Sequence, residues 1–102
     1  MEGQVKIIDH YLCIEMPQEV DHHHAAKIRE VADRLLLKEE VENIVFDFEK
    51  TTFMDSSGIG VMMGRLKKMK GLGGKVFVVH ASKRMEKLLE LSGIMSYVEI
   101  MK

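Results

Sequence analysis

Tryptophan is absent, and proline and cysteine each occur once among the 102 residues. The single thiol, Cys13, cannot close an internal disulfide. That excludes a disulfide-stapled scaffold and fits the reducing cytoplasm, where the chain is expected to work. No Pro-, Gly- or Ser-rich tract marks a linker, and the length suits one core, so residues 1–102 read as a single domain. Neither sign of charge dominates: 15 Lys+Arg against 16 Asp+Glu give a formal net charge of −1. A nucleic-acid partner held by bulk basic charge is thereby excluded. No apolar run approaches the roughly 18 residues of a membrane span. Met1-Glu2-Gly3-Gln4 carries an acid and no apolar h-region, so no signal peptide is expected. What is plentiful is methionine, with nine residues, read as adaptable core filling. The remaining balance, 46% hydrophobic and 30% charged, is that of a globular chain.

The apolar pattern predicts an α/β protein. Val5, Ile7 and Ile8 start one short strand and Tyr11-Leu12-Cys13-Ile14 a second, with Asp9-His10 as a tight turn between them. Pro17 closes this hairpin region, because proline cannot donate to a ladder. Asp21 then caps a helix whose inner face is Ala25, Ile28, Ala32, Leu35 and Leu36, running to about Lys38. Arg29, Glu30, Asp33 and Arg34 fill its opposite face. Ile44-Val45-Phe46 is an unbroken apolar run and predicts a strand buried on both faces. Glu49 to Asp55 reads as a loop, and a second helix begins near Ser56 or Ser57. Its inner face is Ile59, Met62, Met63, Leu66 and Met69, and Gly71-Leu72-Gly73-Gly74 ends it. Val76-Phe77-Val78-Val79 is a further strand. Ser82 caps a third helix carrying Met85, Leu88 and Leu89, Ser92-Gly93 stops it, and Tyr97-Val98-Glu99-Ile100 is the last strand. The order is ββαβαβαβ. Strand–helix–strand units imply parallel pairs with right-handed crossovers, so the sheet should be mixed and mostly parallel, with the hairpin antiparallel.

Several motifs carry chemistry only on a superficial reading. His22-His23-His24 are adjacent on a helix and point about 100° apart, so they cannot converge on one ion without distant ligands such as His10 or His80. No metal site and no cofactor are expected. Gly71-Leu72-Gly73-Gly74-Lys75 lacks the spacing of a phosphate loop and precedes a strand, which makes it a turn. The basic cluster from Arg65 to Lys70 reads as a solvated face. A serine hydrolase built on Ser57 and His80 lacks the G-x-S-x-G elbow and an evident acid. Phosphorylation of Asp47, as in a receiver domain, needs neighbouring acids for Mg²⁺, and the first strand offers only Asp9 at a turn.

Phe53-Met54-Asp55-Ser56-Ser57-Gly58-Ile59-Gly60 is more informative. It joins a buried strand to a helix start, yet two serines and an aspartate exceed what one cap uses. Gly58 and Gly60 each cost about 1 kcal/mol of helix propensity against alanine, which implies a close approach by another surface or by a neighbouring strand.

Phe53-Met54-Asp55-Ser56-Ser57-Gly58 resembles the signature of STAS domains, the anti-sigma factor antagonists. Asp21-His22-His23, Gly73-Gly74-Lys75-Val76 and Leu91-Ser92-Gly93-Ile94 extend the likeness along essentially the whole chain, in order. The sporulation branch, in the sigma-F pathway, is the most similar; a general-stress antagonist of another sigma pathway is the alternative. The resemblance implies the STAS fold and a regulatory protein rather than an enzyme. It implies phosphorylation of Ser57, the second serine of the signature, with Ser56 as the fallback acceptor and a structural cap. The implied partners are an anti-sigma factor with GHKL-type serine kinase activity, which binds the unphosphorylated chain, and a phosphoserine phosphatase. Asp21, His22, His23, Asp55, Ser56, Ser57 and Gly58 are the expected partner-binding residues. Asp55 is expected to cap its helix and orient the serine hydroxyl, and Gly58 to admit the partner to the backbone. The family's further C-terminal helix has no counterpart before Lys102, so its share of the packing is in question.

Overall fold

Asp9 and His10 both take left-handed backbone conformations, φ 48° and 66°, as the central pair of a type I′ turn does. They join β1 (Val5–Ile8) to β2 (Tyr11–Glu15) in antiparallel register, with Val5 opposite Ile14 and Ile8 opposite Tyr11. The computed structural model describes residues 5–101, so the readings placed on Met1–Gln4 and on the end at Lys102 lie outside the described residues. A two-residue strand, β3 (Glu19–Val20), follows Pro17, and α1 runs His22–Lys38. Next come β4 (Asn43–Asp47), a second two-residue strand β5 (Phe53–Met54) and α2 (Ser56–Leu72). The chain closes with β6 (Lys75–Val79), α3 (Lys83–Ser92), a 3-10 turn at Ile94–Ser96 and β7 (Glu99–Met101).

The main sheet has the order β1-β2-β4-β6-β7, and every pair but the hairpin is parallel. The expected mixed, mostly parallel sheet is therefore present. Leu12, Ile14, Ile44, Phe46, Val76 and Val78 point to one face and are buried in a single hydrophobic cluster. The inner faces of the helices supply Ala25, Ile28, Ala32, Met62, Met69, Met85 and Leu89 to the same cluster. Burial of β4 on both faces does not occur. Ile44 and Phe46 are fully covered, while Val45 between them is only half-buried, because the helices pack on one side alone. On the other side the sheet residues shield one another, with the Tyr11 and Phe77 rings 6.1 Å apart. The last strand starts at Glu99 rather than Tyr97, since the 3-10 turn consumes the preceding residues. No helix of the described residues is long and apolar enough to cross a membrane.

Helix ends follow from their caps. Ser82 Oγ accepts from the Met85 N–H at 3.1 Å, and α2 stops at Gly73, left-handed with φ 78°. Gly74 is constrained for a different reason: a Cβ there would overlap the backbone carbonyl oxygen of Glu42. That oxygen belongs to main chain leading into β4 and cannot swing aside. Gly74→Ala is therefore expected to lower stability by about 2 kcal/mol, read as a shift of the urea midpoint. An unchanged midpoint would show that the β4 entry gives way freely.

Candidate functional site

Two short segments that lack any sequence periodicity build the site. β3 and β5 pair in parallel, with Glu19 opposite Phe53 and Val20 opposite Met54. The residues after this ladder are Asp21 and Asp55, so two helix caps stand side by side. Flanking bonds fix the arrangement. Thr51 Oγ1 donates to the Pro17 carbonyl at 2.8 Å, and the N–H groups of Thr52 and Asp55 donate to Gln18 and Val20 carbonyls at 2.8 and 3.2 Å. The stretch Glu49–Asp55, expected as loop, thus contains a strand, and its hydrogen bonds carry the register of both helix starts.

Each cap uses its aspartate in the same way. Asp21 Oδ1 accepts from the His24 N–H at 2.9 Å and lies 2.8 Å from His24 Nδ1. These bonds hold the Asp21 carboxyl below the usual carboxylate range, the backbone bond contributing most. Asp55 Oδ1 accepts from the Ser57 N–H at 2.8 Å. Asp55 therefore caps α2 as expected, but it engages the Ser57 backbone and not its hydroxyl. Ser56 is not the cap: it is the first helical residue, exposed, and the capping oxygen comes from the residue before it. Among the described residues Ser57 Oγ makes no hydrogen bond, and the side chain is half-buried at the start of α2.

Gly58 does not offer its backbone to a partner. It is buried, and a Cβ would overlap the Met54 side chain, with Sδ at 2.6 Å and Val20 Cγ1 at 2.9 Å. The close approach implied by this glycine comes from the β3–β5 ladder beneath it. Gly60 is the open one, exposed and with nothing within 4 Å of an added Cβ. It lines a groove of about 270 Å³ between α1 and α2, together with His22, Ala25, Ala26, Arg29, Ser57 and Val61. His22 and Ser57, far apart in sequence, are thus brought together. His23 is exposed on the same first turn but does not line the groove. A larger hollow of about 670 Å³ lies by the C-terminal half of α2, lined by Met63, Leu66 and Tyr97 among others, and contains none of these residues.

Sequence reasoning missed three contributors. Phe53 is about half exposed at the rim beside the serines, since the β5 alternation turns Met54 in and Phe53 out. Arg29, placed on a solvent face by periodicity, lines the groove. Arg65 was expected on a solvated basic face but is buried against α1, its Nε 3.1 Å from Asp33 Oδ1, with Lys68 Nζ 2.9 Å from the same oxygen. Its spacing from Ser57 and Val61, four residues each time, was the available signal.

Alternative chemistries separate by geometry. Among the described residues one cluster has metal-ligand proximity, Asp47, Glu49 and His80 at the ends of β4 and β6, and it does not include His22 to His24. His80 Nδ1 lies 3.0 Å from Asp47 Oδ1 and 3.6 Å from Glu49 Oε2, which accounts for the cluster as an ion pair. His80 does gain an acid, but no hydrogen bond joins it to Ser57 among the described residues, so a triad is not assembled. Asp9 sits at the hairpin turn, before β2, whereas Asp47 ends the parallel β4, so the two acids occupy opposite ends of the sheet.

The bond to Asp47, and then its charge, raises the His80 pKa above its ordinary 6.5. The imidazolium gains its partner only in the folded chain. Its stabilisation is therefore fully present below about pH 6.5 and is lost as pH rises through the folded value. Melting temperature is expected to fall from roughly pH 6.5 to 8, and less steeply in Asp47→Asn. Parallel profiles for the two proteins would contradict this.

The family model of the STAS domain matches residues 3–102. An anti-sigma F factor antagonist of Paenibacillus polymyxa is 31% identical over 102 residues, 98% of this chain and 87% of that protein. An anti-sigma-B factor antagonist of Listeria monocytogenes is 28% identical over 82 residues, 80% of this chain and 71% of that one. Among solved structures, the anti-sigma factor antagonist SpoIIAA in its unphosphorylated form superposes with a TM-score of 0.82 at 26% identity, covering 98% of this chain and 87% of the other. The phosphorylated form of this Bacillus cell fate determinant gives 0.79 at 27% identity, covering 98% and 91%. With one parallel-rich sheet, paired strand–aspartate–helix junctions and a family match along nearly its whole length, the chain belongs to the STAS-domain family.

Proposed function

We propose that this chain is an anti-sigma factor antagonist: a single cytoplasmic STAS domain that is a kinase substrate and a switch, not an enzyme. Unphosphorylated, it binds an anti-sigma factor with GHKL-type serine kinase activity, and the sigma factor is released. That kinase then modifies Ser57. The serine Oγ forms a bond to the γ-phosphorus of ATP, the bond to ADP breaks, and the hydroxyl proton passes to a base on the kinase. A phosphoserine phosphatase reverses the modification by hydrolysis.

The observation that carries this reading is the placement of Ser57. Its hydroxyl has no partner within the described residues, it opens a helix, and the exposed His22 and Gly60 line the same groove, with exposed Ser56 beside it in the chain and exposed Phe53 on the strand leading in. An exposed apolar ring beside small polar groups suits a docking patch in which a new dianion would be desolvated. Asp21, His22, His23 and Asp55 lie on the same paired helix starts and complete that patch. Gly58 supports it from below. The 31% identical anti-sigma F relative supports a sigma-F pathway as the first reading; the sigma-B relative, at 28%, supports a general-stress pathway as the second.

The test is capture from the native lysate on immobilised Ser57→Ala protein. The captured partner is then incubated with wild-type chain and ATP, and the phosphate is mapped by mass spectrometry. A GHKL-type kinase that places one phosphate on Ser57 is expected. Phosphate confined to Ser56, or no kinase, overturns the reading.

A further inference from the structure

The facing sides of α1 and α2 carry more positive charge than they neutralise. From Ser57 the α2 stripe continues through Val61 to Arg65 and Lys68, and α1 answers with His22, Arg29 and Asp33. Asp33 alone serves Arg65 and Lys68. Among the described residues no carboxylate lies within ion-pair distance of Arg29. Two cations thus share one carboxylate, and a third, Arg29, has no anionic partner among the described residues.

Arg65 is strained electrostatically as well. Its side chain is 5% exposed, yet Nε meets Asp33 off the hydrogen-bonding direction, and neither Nε nor Nη1 has an acceptor. Burial lowers its pKa, and the neighbouring Arg29 charge lowers it further. A buried guanidinium with unused donors lies on the same α2 face as Ser57, two turns along. Between them is the groove that Arg29, His22 and Ser57 line, with room for a phosphate group. The starts of α1 and α2 also stand side by side there, and both present positive dipole ends.

We propose that the α1–α2 seam is an intramolecular phosphate-binding site, in which Arg29, flanked by His22, receives the phosphate carried on Ser57. This rests on Ser57 being the modified serine, and it adds what the modification does within the chain. A phosphoserine brings about −1.5 to −2 charge at neutral pH and would supply the anionic partner that Arg29 lacks among the described residues. The groups facing it are His22 and Arg29 from α1, the capping carboxylates Asp21 and Asp55, and Arg65 farther down α2. Both carboxylates are already engaged by backbone N–H groups and stay charged, so the phosphate is directed away from the caps and toward Arg29. The modified serine is drawn toward α1, and Arg29 is engaged at the same moment.

The experiment places phosphoserine at position 57 by genetic encoding in the full chain, independent of any kinase. Its second ionisation is followed by ³¹P NMR. In the wild-type background the phosphate is expected to titrate below its ordinary value of about 6. Arg29→Gln should raise it by about half a unit or more, Arg29→Lys should fall between, and Lys87→Gln on the outer side of α3 should leave it unmoved. The phosphorylated wild type should also melt higher than the unphosphorylated chain, a gain that Arg29→Gln removes. Arg29 is exposed, so its loss should leave the unmodified fold intact, which the melt of unphosphorylated Arg29→Gln verifies. Identical titrations in wild type and Arg29→Gln overturn the proposal while leaving kinase mapping to Ser57 untouched. Failure of that mapping, in turn, removes the biological setting without altering the titration.

Discussion

Ser57→Asp is expected to weaken binding to the anti-sigma factor about a thousandfold, roughly 4 kcal/mol, with the fold's stability kept within about 1 kcal/mol. The two halves of that expectation have separate causes. Within the chain, Ser57 occupies the first turn of α2, where a carboxylate is favoured by the helix dipole, and its hydroxyl gives up no hydrogen bond when replaced. Across the interface, the same charge must leave water beside His22 and Gly60, with the partner's surface closing over it. No rearrangement of the sheet or helices is needed for so large an effect. Titration calorimetry against the purified partner, paired with chemical denaturation, reads both quantities. Undiminished affinity would place position 57 outside the docking surface.

Asp33→Ala is expected to be the most damaging surface-proximal substitution, costing about 3 kcal/mol. Asp33 is itself part-exposed, which holds the figure to the lower end of the range for broken buried pairs. The loss arises because Arg65 remains, buried, with no anion near and with Arg29 repelling it. Arg65→Met removes the charge instead of orphaning it and fills similar volume, so it should change stability by no more than about 1 kcal/mol. In the double variant most of the Asp33→Ala loss should be recovered. Equal, small losses in the two single variants would mean that water reaches Arg65 and solvates it.

The elements legible from residue order were those with a repeating signal or a dedicated terminator. Apolar runs and the Asp9-His10 turn between them marked the hairpin, apolar stripes marked three helices, and Asp21, Asp55, Ser82, Gly73 and Gly93 marked their ends. What escaped notice had no period to display. β3 and β5 are two residues long, too short for alternation to show, and they exist because their partners hold them. Arg65 escaped because a long cationic side chain is read as solvated until a counter-charge on another helix is known. Gly58 was legible as a close-approach position, but whether the approaching surface was foreign or its own depended on Met54 and Val20, which only the fold brings beneath it. The serines of the site were visible as surplus polar residues; the basic lining that faces them was not, since it comes from α1.

The β3–β5 ladder carries an implication for how this chain tolerates insertion and deletion. Both helix caps lie one residue beyond the same two-pair ladder, so the spacing from Pro17 to Asp21 and from Thr51 to Asp55 is geared together. Losing a residue in either segment would rotate one helix start past the other and turn Ser57 away from Arg29.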